Sequence, residues 1–278
     1  MDLKNRLEMN GMKEAIRNEI IEFVKKYEEK PGINTKWGIP LVGFADARHP
    51  SILALNEVIS PSHQMPVDVL ADASVVIAYY VPFTRELAKI NAEYGRMAAP
   101  LWAESYEETN AMFGVLNQHL IGFLEGLGFK GAISKEASTF NQEKLISNWS
   151  QRHFAYAAGL GTFGINNMLI TKSGCCGRYS TVVTNLPLDP DQPINVELCL
   201  YKKNGSCGIC VRNCPTEALT ISAFNRYTCY ELCQENATIY TNFGNSYTDE
   251  GGEAANSVGS DVCGKCVTGS PCAFWKVI

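Results

Sequence analysis

The first 174 residues of this 278-residue chain contain no cysteine. That absence excludes a thiolate metal site or a disulfide framework from more than half of the molecule. No apolar run resembles a membrane span. The opening stretch, MDLKNRLEMNGMKEAIRNEIIEFVKKYEEK, is charged and periodic and lacks the apolar core of a signal peptide. A cytoplasmic protein with no membrane partner is the expectation. Basic charge is not in excess: 24 Lys and Arg stand against 29 Asp and Glu, a net charge of -5. That balance argues against a dominant basic footprint for nucleic acid and leaves room for a local patch. No internal repeat is visible in the cysteine-free part.

What is present is a composition of 46% hydrophobic and 19% charged residues. It suits a globular chain long enough for one large domain or two modest ones. Eleven cysteines begin at Cys175, and nine of them lie between Cys199 and Cys272. In a reducing compartment disulfides are disfavoured, so metal binding is the leading reading. The chain divides into a body, 1–195, free of cysteine up to Cys175, and a cysteine-dense part, 196–278.

Within the body, Ile16, Ile20, Ile21, Phe23 and Val24 fall near one face of a helix predicted over 12–29 and stopped at Pro31-Gly32. LVGFA at 41–45 and ASVVIAYYVPF at 73–83 predict strands, the second a central one. A helix is predicted to begin near Pro50, and a longer one over 103–127 with Gly128 at its end. GFKGAIS predicts a short strand, 149–158 a helix, and MLIT and YSTVVTNL two strands flanking a GCCG turn. Strands alternating with helices indicate an α/β sandwich. Beyond LPLDPDQP the texture shifts to cysteine-bearing turns and small helices such as CPTEALTI, with a polar, glycine-rich loop over 236–260.

CGICVRNCP, residues 207–215, carries the last three cysteines of the C-x2-C-x2-C-x3-C-P iron–sulfur run, but position 204 is Asn204. Cys199, eight residues before Cys207, supplies the missing ligand if the intervening loop folds back. The crossed ligation of two-cluster ferredoxins then gives two [4Fe–4S] sets. Cys199, Cys207, Cys210 and Cys272 hold the first, and Cys214, Cys229, Cys263 and Cys266 the second. Cys175, Cys176 and Cys233 are left over, with Cys233 an alternative to Cys229. Zinc on four thiolates is the competing reading, since C-x2-C pairs suit it. The C-x3-C-P signature and the interlocking sets favour iron–sulfur. Cys175 and Cys176 are read as turn or core residues, or as lining for a redox site.

RHFAYAAGLGTFGINNMLIT, 152–171, contains a bare G-x-G-x-x-G at Gly159, Gly161 and Gly164. A dinucleotide site needs a strand before it and a helix after it, and here the order is reversed. The glycines instead suggest a large flat ligand approaching the backbone. With QRHFAYAAGLGTFGINNMLIT, YSTVVTNLPL and CGICVRNCPTEAL together, the chain resembles the epoxyqueuosine reductases. These are cobalamin-dependent iron–sulfur proteins related in architecture to reductive dehalogenases. The resemblance is strongest over 149–275.

It implies a nitroreductase-like, cobalamin-binding α/β domain followed by a ferredoxin-like domain with two [4Fe–4S] clusters. It implies a base-off cobalamin, with Gly159, Leu160, Gly161, Gly164 and Asn166 along the corrinoid or its tail and Arg152 matching a family arginine. The family's proton-donating aspartate falls on Leu145 without gaps, and a small gap brings Glu143 there. His153 and Tyr156 are the other donors nearby. Many tRNA-acting members continue into a helical-repeat extension, whereas this chain ends six residues after Cys272.

Three functions follow. The first is a corrinoid-dependent reductase of a small or nucleoside-like substrate, fed by a reduced ferredoxin or flavodoxin-type donor. The second is an electron-transfer protein that serves a partner without its own turnover. The third, less expected from the acidic balance and the tail, is epoxyqueuosine reduction in tRNA.

Overall fold

The computed structural model describes residues 3–141, 143–246 and 259–274. A four-stranded antiparallel sheet organises the body, in the order β1-β2-β6-β3. These strands are β1 (Leu41–Asp46), β2 (Val75–Pro82), β3 (Gly131–Ala132) and β6 (Gly177–Thr184). Every residue of β2 is buried. Successive side chains on a strand point to opposite faces, so a fully apolar central strand feeds two cores. Val75, Ile77, Tyr79 and Val81 join one core, and Val76, Ala78 and Tyr80 join the other.

The first core is covered by helices α1 (Leu3–Tyr27), α2 (Arg85–Glu93) and α3 (Pro100–Gly126). In α1, Ile16, Ile20, Val24 and Tyr27 recur at helical spacing and are buried. Pro100 opens α3, where its missing N–H costs nothing, and Gly128 ends the turn beyond it at φ +85. The second core lies under α4 (Gln151–Ala157). Gly43 of β1 allows that approach: a Cβ there would lie 2.4 Å from the Ala158 carbonyl oxygen.

Three local expectations change. The helix predicted near Pro50 is two short turns, Pro50–Leu53 and Leu55–Val58. The glycine-rich GLGTFG is not an open loop. Its centre is strand β4 (Gly161–Phe163), paired antiparallel with β5 (Leu169–Thr171). CPTEALTI is not a helix. Glu217 takes φ +56, and Leu219 bridges to Phe224 instead. A left-handed residue in mid-segment breaks the helical hydrogen-bond ladder.

The helices of the cysteine-rich part are α5 (Leu200–Asn204), α6 (Ile209–Arg212) and α7 (Arg226–Ile239). The end of α7 replaces the start of the loop predicted over 236–260. Asn236 is fully buried there and accepts from the Ala98 N–H at 2.9 Å. Residues 247–258 of that loop lie outside the described residues. Cys199, Tyr240, Val262, Val267 and Ala273 share a core with α3 and β2. Side chains from both sides of the boundary expected at 195/196 are therefore packed together. Among the described residues, no helix is long and apolar enough to cross a membrane.

Candidate functional site

The cysteines are carried by short elements that the core holds in place. Cys199 stands at the N-terminus of α5, Cys210 lies within α6, and Cys272 lies in a tight turn over Pro271–Phe274. Cys199, Cys207, Cys210 and Cys272 come to the wall of one small cavity, with Gly164, Asn166 and Ile170 on its other side. Burial pushes the Cys210 thiol up to about 11, and its neighbours Cys272, Cys199 and Cys207 add to the effect. Cys266 is pushed far up by burial, with Cys263, Cys229, Cys210 and Cys214 around it. Cys263 rises to about 11, also by burial, with Cys229 and Cys214 among its neighbours. Cys233 shares a hydrogen bond with Cys229. Among the described residues, no three His, Cys, Asp or Glu side chains converge closely enough to hold a single metal ion.

Cys175 has a defined place. Its Sγ lies 3.9 Å from Cys272 Sγ, and Ser270 Oγ lies 3.3 Å from the same sulfur. The hydrogen bond from Cys175, against the opposing effect of burial, draws the Cys272 thiol down to about 6. Cys176 is fully buried beside it and pushed up to about 12 by that burial.

A cavity of about 940 Å³ adjoins this group, and Gly164 and Ile165 face both spaces. Its wall carries four cations, Arg152, Arg178, Lys202 and Arg226, and one acid, Asp261. The chain as a whole has net charge -5, so the cavity concentrates the opposite sign. The Arg178 guanidinium lies 3.7 Å from the Tyr106 ring centre, a cation–π contact. Arg152 donates to the Asn167 carbonyl at 2.6 Å, and Lys202 to that of Phe163 at 2.6 Å. Tyr230 Oη donates to Asp261 Oδ2 at 3.2 Å. Burial pushes Asp261 up to about 6, and the Tyr230 bond opposes it. The other oxygen, Oδ1, is buried without a hydrogen-bond partner among the described residues. His153 faces the same cavity, its Nδ1 2.7 Å from Ser150 Oγ. Burial, helped by Arg152 and His63, brings His153 down to about 4, so the ring is neutral near pH 7.

The residues assigned by resemblance separate into two groups. Arg152 and Gly164 face the large cavity, and Asn166 faces the small one and donates to the Cys266 carbonyl at 3.2 Å. Gly159, Leu160 and Gly161 face neither. Two of these glycines have a packing cause: a Cβ on Gly159 would meet the Gln192 carbonyl oxygen at 2.4 Å. One on Gly161 would meet that of Ile170 at 2.1 Å. Leu160 packs on the second core. Glu143 is exposed on a turn and faces neither cavity, while Leu145 and Ile146 do line the larger one. Tyr156 lines neither cavity and packs on Phe163. Arg178, Tyr230 and Asp261 carried no recognisable spacing in the sequence, because the fold gathers them from β6, α7 and the segment before Cys263.

No family model matches the chain. It is 30% identical over 168 residues to an epoxyqueuosine reductase of Lactococcus garvieae (strain Lg2), covering 59% of this chain and 42% of that one. The chain is similar in sequence to the epoxyqueuosine reductases. Among solved structures it resembles a selenomethionine-labelled epoxyqueuosine reductase, with a TM-score of 0.53 and 21% identity over 93% of this chain and 64% of that one. An epoxyqueuosine reductase crystallised with an epoxyqueuosine-modified tRNA-Tyr stem loop gives a TM-score of 0.51 and 20% identity, over 86% and 59%. At such identities the structures establish a shared mixed α/β fold. The chain spans less than two thirds of the length of each of these relatives.

Proposed function

We propose that this protein is an iron–sulfur oxidoreductase of the epoxyqueuosine reductase type. In this reading the chain would hold two [4Fe–4S] clusters on its cysteines and a corrinoid in the large cavity, and its substrate would be epoxyqueuosine in tRNA. The observation that carries it is the contact between the two spaces: a four-cysteine cavity and a large cationic one divided by Gly164 and Ile165.

The donor sets fit the clusters. Each is four cysteines, and burial disfavours the thiolates of Cys210, Cys263 and Cys266 unless iron compensates the charge. The large cavity fits a cofactor in size, at the upper end of the usual range for small-molecule sites. When bound, the clusters supply single electrons and the corrinoid supplies a strongly reducing cobalt centre.

The chain's own residues do the rest. Cys199, Cys207, Cys210 and Cys272 hold the cluster nearer the cavity, and Cys214, Cys229, Cys263 and Cys266 hold the second. In this reading these cysteines form a ferredoxin-like unit joined to a nitroreductase-like body. Trp149, Phe163 and Tyr179 give the cavity its aromatic wall. Arg152, Arg178, Lys202 and Arg226 attract an anionic ligand, which supports tRNA over the small or nucleoside-like substrate first expected. The relatives' names point the same way. A ferredoxin or flavodoxin-type donor supplies the electrons.

The test is anaerobic complementation of a strain that accumulates epoxyqueuosine, together with EPR of the reconstituted protein titrated with cob(II)alamin. Queuosine in tRNA and a base-off cobalt spectrum at one equivalent are expected. A base-off spectrum without queuosine would remove the tRNA substrate. Leu145, where a carboxylate is expected by resemblance, favours a second reading: electron transfer to a partner protein without turnover. A free-solution cobalt spectrum with loaded clusters would support that reading.

A further inference from the structure

Cys175 and Ser270 both reach the sulfur of Cys272, and neither is needed to complete a set of eight ligands. Cys175 does not line the cavity shared by Cys199, Cys207, Cys210 and Cys272; it stands behind Cys272. Its position is fixed by the backbone. The Cys175 N–H donates to the Cys272 carbonyl at 2.9 Å, and the Cys176 N–H to that of Ala273 at 3.2 Å. Gly174 permits this approach, since a Cβ there would lie 2.1 Å from the Ala273 carbonyl oxygen. Both thiols are fully buried, as is Tyr80, whose ring lies tilted against that of Tyr179 with centres 4.6 Å apart. The Tyr80 hydroxyl has no hydrogen-bond partner among the described residues. Among the described residues, the side chains that reach Cys272 Sγ with a hydrogen-bonding group are therefore those of Cys175 and Ser270.

We propose that the Cys175 thiol and the Ser270 hydroxyl are positioning residues that set the reduction potential of the cluster held by Cys272. They do so by donating hydrogen bonds to its ligating sulfur. The inference rests on the cluster assignment of the preceding subsection. Hydrogen bonds to cluster sulfurs draw electron density from the thiolate and stabilise the more negative, reduced state. Both donors thus raise the potential of the cluster that faces the large cavity. Each transfer remains a single-electron step, with the electron supplied by the external donor and no bond to Cys175 made or broken.

The test is an anaerobic potentiometric titration followed by EPR on the reconstituted full chain, wild type against Cys175→Ala, Ser270→Ala and Cys175→Ser. Iron and sulfide are assayed on each. Both alanine variants are expected to keep their iron and to shift one cluster to a more negative midpoint, with the other cluster unmoved as internal reference. Cys175→Ser, which restores a donor, is expected to recover the midpoint. Unchanged midpoints at full iron content would overturn the proposal. Loss of half the iron in Cys175→Ala would make Cys175 a ligand and overturn it too. Wild-type protein that takes up no iron and gives no reduced-cluster signal would overturn the cluster assignment itself, an outcome distinct from unmoved midpoints.

Discussion

Strand β2 and the segment from Cys199 to Cys214 both reach the interior, by different means. In β2, eight consecutive residues are buried, paired on either side by β1 and β6, and packed into two cores. The cysteine segment has two helices of five and four residues, with Gly205 and Gly208 at positive φ between them. Helices that short are not stable on their own. The first region is held by apolar area and a hydrogen-bonded ladder, and would hold without any ligand. The second spends its interior on thiols. In the proposed reading, cluster binding is also its folding energy.

The largest expected effect separates the two regions outright. Anaerobic chelation of iron should abolish hydrogen-exchange protection over 199–214 while leaving the amides of β2 and β6 protected. Equal loss in both would end the distinction.

Next is Gly161→Val. A side chain there meets the Ile170 carbonyl across the β4–β5 pair, so the change should cost ~2–4 kcal/mol in denaturant unfolding.

Asp191→Asn acts on the body alone. Asp191 accepts from Lys13 at 2.7 Å and from the Phe44 N–H at 3.0 Å. Weakening it leaves the Lys13 charge largely buried and uncompensated, for a loss of about 1–2 kcal/mol and no change in iron content.

The last effect is on pH dependence. The folded His153 titrates at about 4, below its value in the unfolded chain. Between those values only the unfolded chain takes up the proton. Stability should therefore fall as pH drops from roughly 6.5 towards 4. His153→Gln should flatten that slope, read from thermal unfolding across the range.

The same contrast explains what could be read in advance. β2 and α3 declare themselves because burial on a strand or helix repeats with a short period. The cysteine sets were legible for a related reason: most of their spacing is local, within 199–214 and 263–272. Within GLGTFG, Gly159 and Gly161 have packing causes at Gln192 and Ile170, contacts that spacing does not show. CPTEALTI misled because its composition gave no sign of the left-handed turn at Glu217. The meeting of Cys175 with Cys272, 97 residues apart, leaves no trace in spacing at all. Nor do the four cations of the large cavity, which come from α4, β6, α5 and the start of α7.

Gly164 and Ile165 form a partition with two inhabited sides. An insertion there shifts both rooms at once. Divergence toward a different substrate must therefore remodel the outer walls, at Leu145–Trp149 and Thr220–Phe224. The short turn between β4 and β5 would then be inherited nearly unchanged, however far the chemistry on its open side has travelled.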